Sequence, residues 1–415
     1  VAVDLLHYWL DTVVLDIPER GDSMRSRILM VAAAGAALCI VPAVAGAAPG
    51  NASTGNRSFT MAVYGDAPYG TTPADTSETD ATPAFIDAVN ADPDVSTVVH
   101  VGDIHSGKQF CTESYDRTIA GMWSHYADPL VYTPGDNEWA DCHKAAEGGG
   151  TYNSTTNQID YVMANGQPVD YAGGNPVANL GLVRSIFFPS PGATLGSGSL
   201  QTVSQATAYD PAHPEDAQYV ENVMWKQKGF VFVTVNVPGG SNNDADPWYG
   251  APLTQQQTDE RTQRTAADLR WLDQAFSYAS GIDAQGVVVI SQADMWDLDG
   301  KTTAHLTNYE PLVGSLASHT TAFGKPVLLF EGDSHTYRSD NPLAPGAACT
   351  GDAGVCSYDA WQSHPFYNVP NLHRVIVHGS TFPLEWLKLT VTPGGHAPTT
   401  STSFGPFSWQ RMPVS

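Results

Sequence analysis

Four short hydrophobic runs in this chain end in Gly-Asp. Met61 to Tyr64 precede Gly65-Asp66, Val98 to Val101 precede Gly102-Asp103, Leu130 to Tyr132 lie just before Gly135-Asp136, and Val327 to Phe330 just before Gly332-Asp333. Each run reads as a strand, and in an open α/β sheet the carboxyl ends of the strands share one rim, where their loops converge. Taken singly, a Gly-Asp also fits a plain turn, with glycine bending the chain and aspartate bonding its own backbone. Four together are harder to explain that way. Carboxylates gathered in one crevice repel unless a cation lies among them, which makes Asp66, Asp103, Asp136 and Asp333 candidate metal ligands.

The rest of the chain narrows the partners. A net charge of −24 with only 19 Lys and Arg leaves no basic patch for a phosphate backbone, so nucleic acid is not expected. With 42% hydrophobic residues and ten tryptophans there is material for a sizeable core.

Met24, Arg25 and Arg27 precede an apolar run from Ile28 to Val44, followed by Ala45-Gly46-Ala47, the pattern of an export signal with cleavage after Ala47. The run is interrupted by Pro42 and trailed by a polar linker, so no permanent membrane span is expected. Residues 1–23 then read as a non-native upstream extension, 24–47 as the signal, 48–57 as a linker, 58–392 as the working domain and 393–415 as a tail. Export implies a secreted or cell-envelope protein in an oxidising compartment, where the even set Cys111, Cys142, Cys349 and Cys356 suits two disulfides. Pairing Cys111 with Cys142 would tie the second and third Gly-Asp loops together, and Cys349 with Cys356 would close a local loop; buried free thiols are the alternative.

Alternation of strands with helical patterns predicts an α/β sheet. Strands are expected at 59–64, 97–101, 130–133, 223–225, 230–237, 287–291 and 327–330, with helices at 82–91, 113–127, 259–278 and 310–318. Residues 143–222, rich in Gly, Asn, Ser, Thr and Pro, read as an insertion walling the crevice, with a helix near 156–164. Arg374 to Val377 and Leu387 to Val391 read as antiparallel strands closing a second sheet.

In this order the motifs resemble those of the calcineurin-like metallophosphoesterases, over about residues 58–392, in a divergent exported form. That resemblance implies two mixed β-sheets packed face to face and flanked by helices, a four-layer sandwich, with a two-metal site that hydrolyses phosphoesters. Gly65-Asp66-Ala67-Pro68 is similar to the first motif, with Pro68 where the family has histidine; Gly102-Asp103 is similar to the second, which supplies the metal-bridging carboxylate. In Gly135-Asp136-Asn137-Glu138, Asp136 stands at a metal-binding asparagine and Asn137 at the histidine that aids the leaving group. Gln292, after Val287 to Ser291, stands where a histidine ligand belongs; in Gly332-Asp333-Ser334-His335, Asp333 replaces the first histidine and His335 is kept.

The implied ligands are therefore Asp66, Asp103 and His335 for one divalent ion, and Asp103, Asp136, Asp333 and Gln292 for a second. So oxygen-rich a set favours Mg²⁺, Mn²⁺ or Ca²⁺ over zinc or iron. On this reading the chain is a metal-dependent phosphoric ester hydrolase acting on a small phosphomonoester or phosphodiester. His105 is the nearest general acid to Asp103, Arg338 a candidate phosphate clamp, and Tyr69 a candidate wall of the substrate pocket. The alternatives are a catalytically inactive binding protein of the same fold and an exported hydrolase of another class.

Overall fold

The computed structural model describes residues 57–243, 246–298 and 301–414. The upstream extension, the signal segment and nearly all of the linker expected from the sequence lie outside the described residues.

The chain starts as β-α-β. Strands β1 (Phe59–Tyr64), β2 (Val95–His100) and β3 (Leu130–Tyr132) pair in parallel, joined by helices α1 (Ser77–Asn90) and α2 (Glu113–Trp123). Helix α3 (Pro176–Phe187) precedes the second sheet, which is built from β4 (Val203–Ser204), β5 (Val223–Gln227), β6 (Phe230–Thr234), β7 (Gly286–Ile290), β8 (Val327–Glu331), β9 (Arg338–Asp340), β10 (Thr350–Gly351) and β11 (Leu372–Ile376). Its crossover helices are α4 (Gln255–Gly281) and α5 (Glu310–Phe323). The chain then returns to the first sheet through β12 (Glu385–Val391), β13 (Ala397–Thr400), β14 (Ser403–Gly405) and β15 (Phe407–Pro413).

The first sheet runs β13-β14-β15-β12-β1-β2-β3 and the second β10-β9-β11-β8-β7-β6-β5-β4. Both are mixed: β12 pairs antiparallel with β1, while β6, β7, β8 and β11 form a parallel run with antiparallel neighbours. The period-2 alternation of each strand sorts its side chains into layers. Met61, Val63, Leu387 and Leu389 meet Phe232, Val288, Ile290, Leu328 and Phe330 between the sheets. On the outer faces, Ala62, Tyr64 and Tyr132 pack against Phe85, Ile119 and Trp123, and Val231, Val289 and Leu329 against Trp271, Leu272, Phe276 and Leu316. The result is the helix, sheet, sheet, helix order expected.

Three sequence expectations change. Residues 156–164 are not a helix: they lie in hairpins Gly150–Asn153 with Gln158–Tyr161 and Met163–Ala164 with Gln167–Pro168. Asn165 and Gly166, both at positive φ, make the second turn, a pair that favours a tight hairpin. Residues 372–376 do not join 385–391 in a second sheet; β11 lies parallel to β8 and β12 in the first sheet. Part of the expected tail is core, because Phe404, Phe407 and Trp409 are buried between the sheets. Within the 143–222 segment, Val183 and Phe187 of α3 complete the helical layer over the first sheet.

Candidate metal centre

The parallel strands β1, β2, β3, β7 and β8 all deliver their carboxyl ends to one rim, where loops from the two sheets meet. The backbone of these loops is stitched directly: Asp66 N–H donates to Gly102 O (2.9 Å), Ala67 N–H to Asp103 O (3.1 Å) and Gly332 N–H to Gln292 O (2.8 Å). Across the sheets, Asp333 N–H donates to Oδ1 of Asp66 (2.9 Å). Asp66, Asp103 and Asp333 hold φ of 48°, 62° and 65°, the left-handed region that L-residues rarely occupy. Strain of this kind persists where surrounding contacts over-determine it, and it concentrates at functional sites.

The glycine before each aspartate makes room for a neighbouring loop. A Cβ on Gly135 would stand 1.9 Å from Asp103 Oδ1, one on Gly332 2.5 Å from Asp66 Oδ2, and one on Gly102 2.7 Å from the Gln292 side chain. Gly239 and Gly379, which no Gly-Asp pattern singles out, do the same: a Cβ on Gly239 would meet Asp136 Oδ2 at 2.3 Å and Asp333 Oδ1 at 2.7 Å, and one on Gly379 the Asp66 Cβ at 2.1 Å.

Asp103 lies at the centre. Its Oδ2 accepts from Tyr69 Oη (2.7 Å), Asn137 Nδ2 (3.0 Å) and Gln292 Nε2 (3.2 Å), and its Oδ1 accepts from Asn137 N–H (3.2 Å). Asn137 Nδ2 also donates to Tyr69 Oη at 2.9 Å. Gln292 Nε2 reaches Asp136 Oδ1 as well (3.3 Å), while Gln292 Oε1 accepts from Gly239 N–H (2.8 Å). Beneath them Glu138 gathers Gly135 N–H (2.7 Å), Asp103 N–H (3.2 Å) and the Tyr132 hydroxyl on one oxygen.

Asp66, Asp103 and Asp136 are buried and Asp333 is half-buried, and desolvation is the main reason their carboxyls are pushed upward. Asp66 and Asp103 lie well above the usual range, Asp103 raised further by Asp136 and Glu138. Asp136 is raised by burial, then by Asp141 and Asp333. Asp333 is pushed up to about 6 by burial, with Lys301 opposing the rise. His335 is lowered to about 4, by burial and then by Lys301, so its imidazole is neutral near pH 7, the form that binds metals.

These groups fit a cation at one place. Ligand atoms of Asp66, Asp103 and His335 lie within 4.8 Å of one another. Asp66 Oδ2 is buried there with no hydrogen-bond partner, and His335 Nε2 stands 3.8 Å from Asp66 Oδ1. A desolvated carboxylate oxygen without a donor is costly, and a divalent ion would satisfy it. The donors expected around a second ion do not fit as a set: Gln292 presents its N–H₂ to Asp103 and Asp136, because Gly239 N–H claims its oxygen.

Other expected roles move. His105 is buried with its ring edge on Tyr115 and Nδ1 on Ser106 O (3.1 Å), and its nearest metal-ligating groups are Cys111 and Glu147, not the acid cluster. Cys111 is bonded to Cys142, and Cys349 to Cys356, so the sulfur beside His105 is not a free thiolate. Arg338 pairs with Asp340 (2.6 Å) and Tyr358 O (3.0 Å) with its guanidinium over the Tyr358 ring, and it lines the cleft beside Asp333. Tyr69 and Asn137 turn inward onto Asp103. Among residues the sequence reading left out, Arg374 is fully buried against Asp294 (2.6 Å), Asp340 (2.9 Å) and Glu331 (3.2 Å), and Asp294 N–H holds Asp333 Oδ2 at 3.3 Å. A lone arginine inside an apolar strand was the available signal.

No family model matches the chain, and no curated protein matches it. Among solved structures, the chain is similar to a purple acid phosphatase isolated from yellow lupin (Lupinus luteus) seeds, at 11% identity and a TM-score of 0.31, over 80% of this chain and 49% of that one. The chain thus spans about half the length of that protein.

Proposed function

We propose that this chain is an exported, metal-dependent phosphoric ester hydrolase whose divalent cation is held by Asp66, Asp103 and His335. The observation that carries the reading is Asp66 Oδ2, buried without a partner beside two other potential ligands. Two disulfides support export, and among the described residues no helix is long and apolar enough to cross a membrane. The resemblance of the Gly-Asp motifs to those of metallophosphoesterases supplies the reaction class.

When bound, such a cation supplies a more acidic water and neutralises charge on a phosphoryl group. The protein's own part is positioning. Tyr69 and Asn137 fix the Asp103 carboxylate, and the Tyr69 and His335 rings meet edge to face with their centroids 5.1 Å apart, so one phenol touches two ligands. A cleft of about 370 Å³ lined by Asp333, Ser334, Tyr337 and Tyr358 adjoins the fourth loop and offers room for a small ester.

One observation favours a second reading. Asp103 Oδ2 is already held by three neutral donors, as suits a binding protein with a single structural cation. Bound metal and turnover of phosphomonoesters and diesters, measured with Mg²⁺, Mn²⁺, Ca²⁺ and Zn²⁺ for the wild type and Asp66→Asn, separate the two. The hydrolase reading expects both to fall at least tenfold in Asp66→Asn. Metal without turnover supports the binding protein, and neither metal nor turnover defeats both.

A further inference from the structure

We propose that the amide of Gln292 stands in place of a second cation, so that the centre takes one divalent ion per chain. The inference rests on the metal-dependent reading above and specifies its stoichiometry.

Gln292 is fully buried, and its amide has one orientation that satisfies its surroundings. Gly239 N–H needs an acceptor and takes Oε1 at 2.8 Å. Both hydrogens of Nε2 then face carboxylates, toward Asp103 Oδ2 at 3.2 Å and Asp136 Oδ1 at 3.3 Å. Gly102 packs closely against the stem of the side chain, where an added Cβ would stand 2.7 Å from Gln292 Cβ and Cγ. Between Asp103 and Asp136, two of the residues that would hold a second cation, there is an N–H₂ group whose hydrogens carry positive partial charge. It relieves the repulsion of the two acids as a weak cation would, and it repels a real one. Tyr69 and Asn137 complete the donors on the same Asp103 oxygen, so that oxygen has no lone pair left to share. Asp66 Oδ2, by contrast, has no donor at all and is open to a cation.

The full chain is stripped with a chelator and titrated with Mn²⁺, with stoichiometry read by calorimetry and by electron paramagnetic resonance. Wild type is expected to bind one equivalent with the spectrum of an isolated ion. Gln292→His, or Gln292→Glu if the first does not fold, removes the N–H₂ barrier and supplies a ligand, and is expected to bind two equivalents with a spin-coupled spectrum. Two equivalents in the wild type overturn this inference and leave the hydrolase reading standing. One equivalent in a folded variant overturns the role of Gln292. No binding in the wild type overturns the reading on which the inference rests.

Discussion

Gly135 and Asp103 compete for one space: a Cβ on Gly135 would lie 1.9 Å from Asp103 Oδ1, and Asp103 cannot yield, because Tyr69, Asn137 and Gln292 hold it. The third Gly-Asp loop is shaped by the aspartate of the second. Gly135→Ala should therefore cost about 1 to 3 kcal/mol, the usual range for overpacking a fixed site, and weaken metal binding by displacing a ligand. Urea denaturation and a metal titration read the two effects; an unchanged denaturation midpoint with wild-type affinity would show that the loops can separate.

A second prediction concerns acid. His100 accepts from Gly102 N–H on Nδ1 (3.2 Å), so its proton is on Nε2, which donates to Ala67 O (2.9 Å). Burial lowers the imidazole from its ordinary value to about 4. A folded pKa below the unfolded one means that stability is present above pH 6.5 and is lost as pH falls toward 4, because the unfolded imidazole takes up a proton that the folded one, with Nδ1 facing the Gly102 N–H, does not. Between pH 7 and 4.5 this group alone should remove roughly 2 to 3 kcal/mol. In His100→Gln, which keeps one acceptor and one donor, the unfolding free energy should fall by that much less over the same interval; equal slopes would refute the assignment.

The two disulfides should differ in worth. Cys111 and Cys142 are 31 residues apart and Cys349 and Cys356 only 7. Closing the longer loop restricts the unfolded chain more, by about 3 to 4 kcal/mol against about 2 to 3 in the chain-entropy account. Thermal melts of the two paired Cys→Ala variants would compare them, with Cys111→Ala/Cys142→Ala expected to melt lower. That variant should also lose metal affinity, since the bond joins the loops carrying Asp103 and Asp136.

Strands with strong apolar runs were legible because both their faces are buried, as in β1 and β7. So was the convergence of Asp66, Asp103, Asp136 and Asp333, since parallel strands bring their ends together. What could not be read is which atom of each side chain faces which. Whether Gln292 offers oxygen or N–H₂ is decided by Gly239, 53 residues away and marked by no motif. Arg338 meets Asp340 two residues along an extended strand, because a strand places such residues on the same face. Residues 397–413 looked like a tail because their Ser, Thr and Pro outnumber Phe404, Phe407 and Trp409, though those rings are what enter the core.

The place of β1 in its sheet bears on the order of assembly. Phe59 pairs with Val391 and Val63 with Leu387, so an inner strand of the first sheet waits for residues synthesised more than 300 positions later. Contacts of such separation form slowly, because loop entropy is lost before the pairing returns it. Until β12 docks, the second sheet lacks the cover of Leu387 and Leu389, so the packing that sets Asp333 N–H against Asp66 is incomplete. Metal affinity during refolding should thus appear together with the last slow phase, which makes the cation a reporter of chain completion.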